Sequence, residues 1–261
     1  MVGQKNEKLN QLHRLLPEGL VVDTPWLEAR GYRRQWREKY VAHGWLQGVT
    51  RGVYRRPPQE PRLAWQRVVI SLQRLLDKPV HVGGRSALDL HGLAHYVRMG
   101  GDPTVHLYTY ESLPGWTSKI CMDATLVEHR AGKLFEQNAP GLTDIEWGHW
   151  GWKIRLSAPE RALCELLDEL PERETFHQAD MLMESARTLS PKRVQAILEA
   201  CRSVKVKRLF LWFAEKQEHA WFSRLDLARV DLGRGKRQIV KNGRFDPKYQ
   251  ITVPDALDAS G

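Results

Sequence analysis

Apolar positions in the first sixty residues recur at helical intervals, separated by sharp punctuation. Leu9, Leu12, Leu15 and Leu16 share one face of a helix over 6–16, and Pro17 ends it. A short second helix is predicted next, with Thr24 as N-cap, Pro25 in the first helical position and Gly31 as the left-handed C-terminal residue. A third helix follows almost at once, over 32–43. In it Tyr32, Trp36 and Tyr40 recur at i, i+4 and i+8, a stripe suited to packing on the first two helices. Arg33, Arg34 and Arg37 fill an adjoining arc of about 100° turned away from that stripe, which Val41 interrupts. A short helix, a tight Gly turn and a second helix make a helix-turn-helix.

The segment over 44–58 changes character. Val49, Val53 and Tyr54 favour strands, Gly48 and Gly52 suit a turn or bulge, and Arg51, Arg55 and Arg56 decorate the pair. Three helices and a basic hairpin predict a winged helix, whose second motif helix enters a major groove while the hairpin lies beside the phosphate backbone or reaches the minor groove. Pro57 and Pro58 stiffen the exit, so a domain boundary is expected there, giving 1–58 and 59–261.

Beyond it, an amphipathic helix is predicted over 62–76. Strands are expected at 80–82, 105–110, 119–127 and 152–156. Ser157 and Glu160 have capping-box spacing ahead of a helix over 161–170. Further helices fit 176–189, 191–201 with Ser190 as N-cap, and 204–219, before a last strand at 249–253. Strands in one block and helices in another predict an α+β fold: a winged helix-turn-helix followed by a larger α+β domain with a mixed sheet and a helical C-terminal half.

Charge sharpens this picture. The net charge of +9 is divided as +6 over 1–58, −3 over 59–200, +8 over 201–249 and −2 over the last dozen residues. Two basic blocks around an acidic middle suit two contacts with one polyanion. Cys121, Cys164 and Cys201 lie far apart with no CxxC pair, which excludes a Cys-rich zinc site and fits a reducing cytosol. The N-terminus is polar, and runs such as 209–214 are too short to span a bilayer, so no membrane association and a cytoplasmic location are expected. Most of the ten tryptophans, Trp147, Trp150, Trp152 and Trp212 among them, read as core.

Catalytic signatures are scarce. No HEXXH and no G-x-S-x-G occurs, and His91 and His95, spaced as a helical metal pair, lack a third ligand. The run 233–237 lacks the first glycine and the final Ser/Thr of a phosphate loop, and reads as a basic turn. No E-x-K occurs, and the one D-x-K, Asp246 to Lys248, contains Pro247. No enzyme, no cofactor and no metal are therefore expected. A DNA-targeted, metal-dependent nuclease delivered by the winged helix is the alternative.

Five stretches carry a family resemblance: GWLQGVTRGVYR at 44–55, GGRSALDLHGL at 83–93, SAPERALCELLD at 157–168, SVKVKRLFLWF at 203–213, and LGRGKR from 232 continuing to YQITVP at 249–254. In this order they resemble the AbiEi-type antitoxins of type IV toxin–antitoxin (abortive infection) systems, over nearly the whole chain. The resemblance implies an autorepressor that binds inverted repeats in its own promoter. It also implies an antitoxin that counteracts a nucleotidyltransferase-like toxin without a stable complex, and a C-terminal domain tied to antitoxicity and cooperative DNA binding. Such a protein would be a monomer in solution that assembles on double-stranded DNA. The expected DNA-contacting residues are Arg33, Arg34, Gln35, Arg37 and Lys39 on the helix and Thr50, Arg51, Arg55 and Arg56 on the hairpin. Lys205, Lys207, Arg208, Arg234, Lys236, Arg237 and Lys241 are expected to form a second basic surface.

Overall fold

The computed structural model describes residues 2–57, 62–93, 103–148 and 151–255. The chain begins with α1 (Val2–Leu15), β1 (Val21–Asp23), α2 (Thr24–Ala29), α3 (Arg34–Ala42), β2 (Gln47–Thr50) and β3 (Val53–Arg55). The three strands form an antiparallel sheet in the order β1-β3-β2, so the predicted hairpin gains a strand that the sequence reading missed. Leu12, Leu16, Leu27, Tyr32 and Tyr40 are all at most 1% exposed, and their burial welds the helices to this sheet. The result is a winged helix. Asp23, rather than the expected Thr24, caps α2: its carboxylate accepts the Trp26 N–H at 3.0 Å.

Helix α4 (Trp65–Ile70) continues into one π-helical turn, Ser71–Leu75, which the expected single helix over 62–76 did not contain. That turn, together with Trp116, holds the winged helix in place. The Val21 N–H donates to Ser71 Oγ at 2.9 Å, the Trp26 indole donates to the Leu75 carbonyl at 2.7 Å, and the Trp116 indole reaches Asp23 Oδ2 at 3.3 Å.

A five-stranded mixed sheet follows. It is built from β4 (Val80–Val82), β5 (Thr104–Thr109), β6 (Thr125–Arg130), β7 (Leu142–Trp147) and β8 (Trp152–Ser157) in the order β6-β5-β4-β8-β7, with α5 (Gly84–Leu90) between β4 and β5. β6 covers only the end of the strand expected over 119–127, and β7 and α5 were unanticipated. Helices α6 (Pro159–Asp168), α7 (Phe176–Ser185), α8 (Pro191–Ala200) and α9 (Val204–Lys216) complete the helical C-terminal half. A last small sheet, β9 (Arg237–Gln238), β10 (Arg244–Asp246) and β11 (Ile251–Val253), has the order β10-β11-β9. The architecture is α+β, as expected.

Helix α6 is buried from Glu160 to Leu167, and its charged residues point inward. This corrects the capping-box reading: Ala158 occupies the N-cap without a side-chain bond, and Ser157 Oγ instead donates to Glu165 at 2.7 Å. Glu160 accepts from the Ser190 N–H at 3.2 Å and the Arg193 guanidinium at 3.1 Å. Glu165 is surrounded by donors: His81 Nε2 at 2.9 Å, Arg161 Nε at 3.0 Å and the Gly84 N–H at 3.0 Å. Burial opposes its charge, but His81, Arg161 and Ser157 together hold its carboxyl below the usual range. The cluster pins α6, α5 and β4 together at the centre of the larger layer.

Candidate nucleic-acid interface

Gly31, at φ +80°, makes the turn between α2 and α3, where the Tyr32 N–H returns to the Leu27 carbonyl at 2.9 Å. One side of α3 is then fixed by aromatic contacts. Tyr32 is fully buried and donates its hydroxyl to the Lys8 carbonyl at 3.0 Å. Trp36 meets Tyr40 edge-on at 5.7 Å, and Tyr40 meets Trp45 at 5.5 Å. Burial, then the neighbouring Tyr40, pushes the Tyr32 phenol up to about 12, so the phenol itself stays neutral.

Arg33, Arg34 and Gln35, at the start of α3, are all exposed, as is Val41 nearer its C-terminal end. Arg34 pairs with Glu38 one turn on at 2.7 Å, which places one carboxylate within the basic face. Lys39 is half-buried, its ammonium 5.9 Å from the centre of the Trp36 ring. Arg37 departs from the expectation. It is buried, donating to Glu28 Oε1 at 2.8 Å and to the Tyr32 carbonyl at 3.0 Å, so it braces α3 against α2 and does not face solvent.

On the wing, Arg51 is exposed at the tip and Thr50 and Arg56 are half-buried. The tip is tethered: the Thr24 N–H and hydroxyl both donate to the Gly52 carbonyl, at 2.8 and 3.2 Å. Arg55 is a second correction. It is buried, its Nε bonded to Gln47 Oε1 at 2.8 Å across the hairpin, and burial followed by the nearby Arg67 lowers its pKa.

The expected second surface divides in the same way. Lys205 caps the end of α6, donating to the Asp168 carbonyl at 2.8 Å and to that of Leu170. Lys207 is buried. The buried Arg208 guanidinium donates to four carbonyls, Leu232 at 2.8 Å, Gly235 at 2.6 Å, Gln250 at 3.2 Å and Gly233 at 3.3 Å. These three serve the fold, and the turn over 233–237 is closed from beneath by Arg208. Arg234, Lys236, Arg237 and Lys241 are exposed, joined by Arg244, which the sequence reading had not selected although it lies in the same basic block.

The one D-x-K run, Asp246 to Lys248, reads as unfit for a metal-dependent nuclease because of Pro247. Asp246 accepts the Tyr249 N–H at 2.9 Å, and Lys248 pairs with Glu215. Among the described residues no group of three His, Cys, Asp or Glu could hold a metal ion. His91 Nε2 lies 2.9 Å from the Ser157 carbonyl, while its expected partner His95, like Trp150, lies outside the described residues. Among the described residues no helix is long and apolar enough to cross a membrane.

Two family models match the chain. That of the AbiEi antitoxin transcriptional regulator N-terminal domain spans residues 5–99, and that of the AbiEi antitoxin transcriptional regulator of type IV toxin–antitoxin systems spans residues 102–254. No curated protein matches. Among solved structures, the crystal structure of the RV2827C protein from Mycobacterium tuberculosis is similar in fold, with a TM-score of 0.54 at 16% identity, covering 93% of this chain and 88% of that one.

Proposed function

Because the chain belongs to the AbiEi antitoxin family of type IV toxin–antitoxin transcriptional regulators, we propose that it is a sequence-specific DNA-binding autorepressor acting in the cytoplasm. In this reading α3 enters the major groove of promoter inverted repeats. Arg33, Arg34 and Gln35 inspect base edges, Arg51 and Arg56 follow the backbone, and exposed Val41 is placed to meet a thymine methyl. The exposed cations of the C-terminal block add phosphate contacts. The antitoxin counteracts a nucleotidyltransferase-like toxin without forming a stable complex with it and without catalysis of its own.

The observation that carries the reading is that α3 is anchored by its aromatic residues while Arg33, Arg34 and Gln35 at its start remain exposed. A gel-shift titration on the upstream promoter tests it. Preference for that duplex over a scrambled one, lost in Arg34→Ala, is expected; equal binding to both duplexes by the wild type overturns it.

A further inference from the structure

Only two large apolar side chains are exposed among the described residues, Val41 at 41% and Phe245 at 38%. One sits on α3; the other sits in the second basic block. Phe245 lies at the centre of β10 and pairs across to Thr252 of β11, which pairs in turn with Gln238 of β9. Alternation along the strands therefore puts Phe245, Thr252 and Gln238 on one face. Ile251 and Val253 are fully buried on the opposite face, toward α9, so the Phe245 face looks to solvent. Lys236 belongs to the same face, its ammonium 4.9 Å from the Phe245 ring centre.

Charge complements this ring. Arg234, Lys236, Arg237, Lys241 and Arg244 are exposed around it, and none is ion-paired with a described carboxylate. The acidic groups nearby are engaged elsewhere: Asp231 accepts the Gly233 N–H at 2.8 Å, and Glu215 accepts from Lys248 and, at 3.0 Å, from the Tyr249 hydroxyl. The Thr252 hydroxyl is also occupied, by the Ile239 N–H and the Val240 carbonyl, which leaves the Gln238 amide as the open polar group on the face.

We propose that the outer face of this small sheet is a stacking platform for an unpaired base of a single-stranded nucleic acid. Phe245 supplies the ring, Gln238 meets the base edge, and Lys236 moves from the ring to an adjacent phosphate. A duplex hides its base faces within its own stack and presents only edges, so an exposed ring finds a stacking partner only in an unpaired base. The proposal stands independently of the duplex reading of α3.

Fluorescence anisotropy of the full chain with labelled oligothymidylate and oligouridylate dodecamers, beside the promoter duplex, tests it. Wild type is expected to bind at least one single strand. Phe245→Leu, which keeps an apolar side chain but removes the ring, should weaken that binding by about tenfold while duplex affinity stays unchanged. Phe245→Trp should restore it. The stronger of the two single strands identifies DNA or RNA as the source of the base. Arg34→Ala should leave single-strand binding intact, so the two readings fail separately. Absence of single-strand binding by wild type, or equal binding by Phe245→Leu, overturns the proposal.

Discussion

Arg34 and Arg37 lie three positions apart on α3, yet the first side chain is 84% exposed and the second 9%. The same residue type on one helix thus serves two purposes. Arg34 lies at the surface, paired with Glu38 of its own helix, whereas Arg37 spans to Glu28 and the Tyr32 carbonyl and fixes the angle between α2 and α3.

The two alanine variants should therefore separate. Arg34→Ala is expected to cost about 1–3 kcal/mol of discrimination between the promoter and a scrambled duplex, with the urea midpoint unchanged. Arg37→Ala should lower the urea midpoint, by about 1–3 kcal/mol of stability, because the buried Tyr32 carbonyl loses its guanidinium donor. The same pattern in both variants would contradict the division.

Glu165 is the most heavily coordinated carboxylate described in the larger layer. Glu165→Gln would leave Arg161 and His81 facing a neutral amide in a buried site. Breaking a buried ion pair from one side costs about 3–5 kcal/mol, and urea unfolding followed by circular dichroism should show a loss of that size. A loss within the range of surface substitutions would mean that the cluster is not electrostatically coupled.

His106 gives the fold an acid-sensitive contact. Its Nδ1 lies 2.9 Å from His129 Nε2, and burial first, then His129, pushes its pKa down to about 4. An unfolded imidazole takes up its proton near pH 6.5, so the depressed group contributes stability that is complete above that value. The contribution is lost as pH falls from about 6.5 toward 4. Urea midpoints at pH 7 and pH 4.5 should differ less in His106→Gln than in wild type, the remaining difference coming from carboxylates such as Glu165.

Arg208 and Arg234 offer a parallel test in the C-terminal block. Arg208→Ala removes the donor to four carbonyls and should destabilise the small sheet, seen as faster hydrogen exchange over 232–253. Arg234→Ala should leave exchange unchanged and flatten the log–log salt dependence of duplex binding by about one unit. Identical salt slopes for wild type and Arg234→Ala would remove Arg234 from the phosphate contacts.

Much of the winged helix was legible because its signals are local. The i, i+4, i+8 aromatic stripe and Gly31 fix where α3 starts and which side it buries, whatever else the chain does. The direction of Arg37 was not legible, since it depends on where α2 places Glu28. Lys205, Lys207 and Arg208 misled for a related reason. Counting charges cannot show that α9 is buried continuously from Val206 to Ala214, so that Lys205 and Arg208 are used on backbone carbonyls and Lys207 is buried. β1 has only three residues, and β7 alternates weakly because much of it is exposed, so neither stood out. The pairing of Phe245 with Thr252 and Gln238 joins segments separated by turns, and only the folded register brings their shared face into view.

The bonds from Val21, Asp23 and Trp26 to Ser71, Trp116 and Leu75 leave the winged helix, which in the proposed function reads DNA, little room to swing. Whatever curvature a complex demands then falls to the double helix itself. Operators rich in pliable pyrimidine–purine steps would be favoured over stiff ones, even at base pairs no side chain touches.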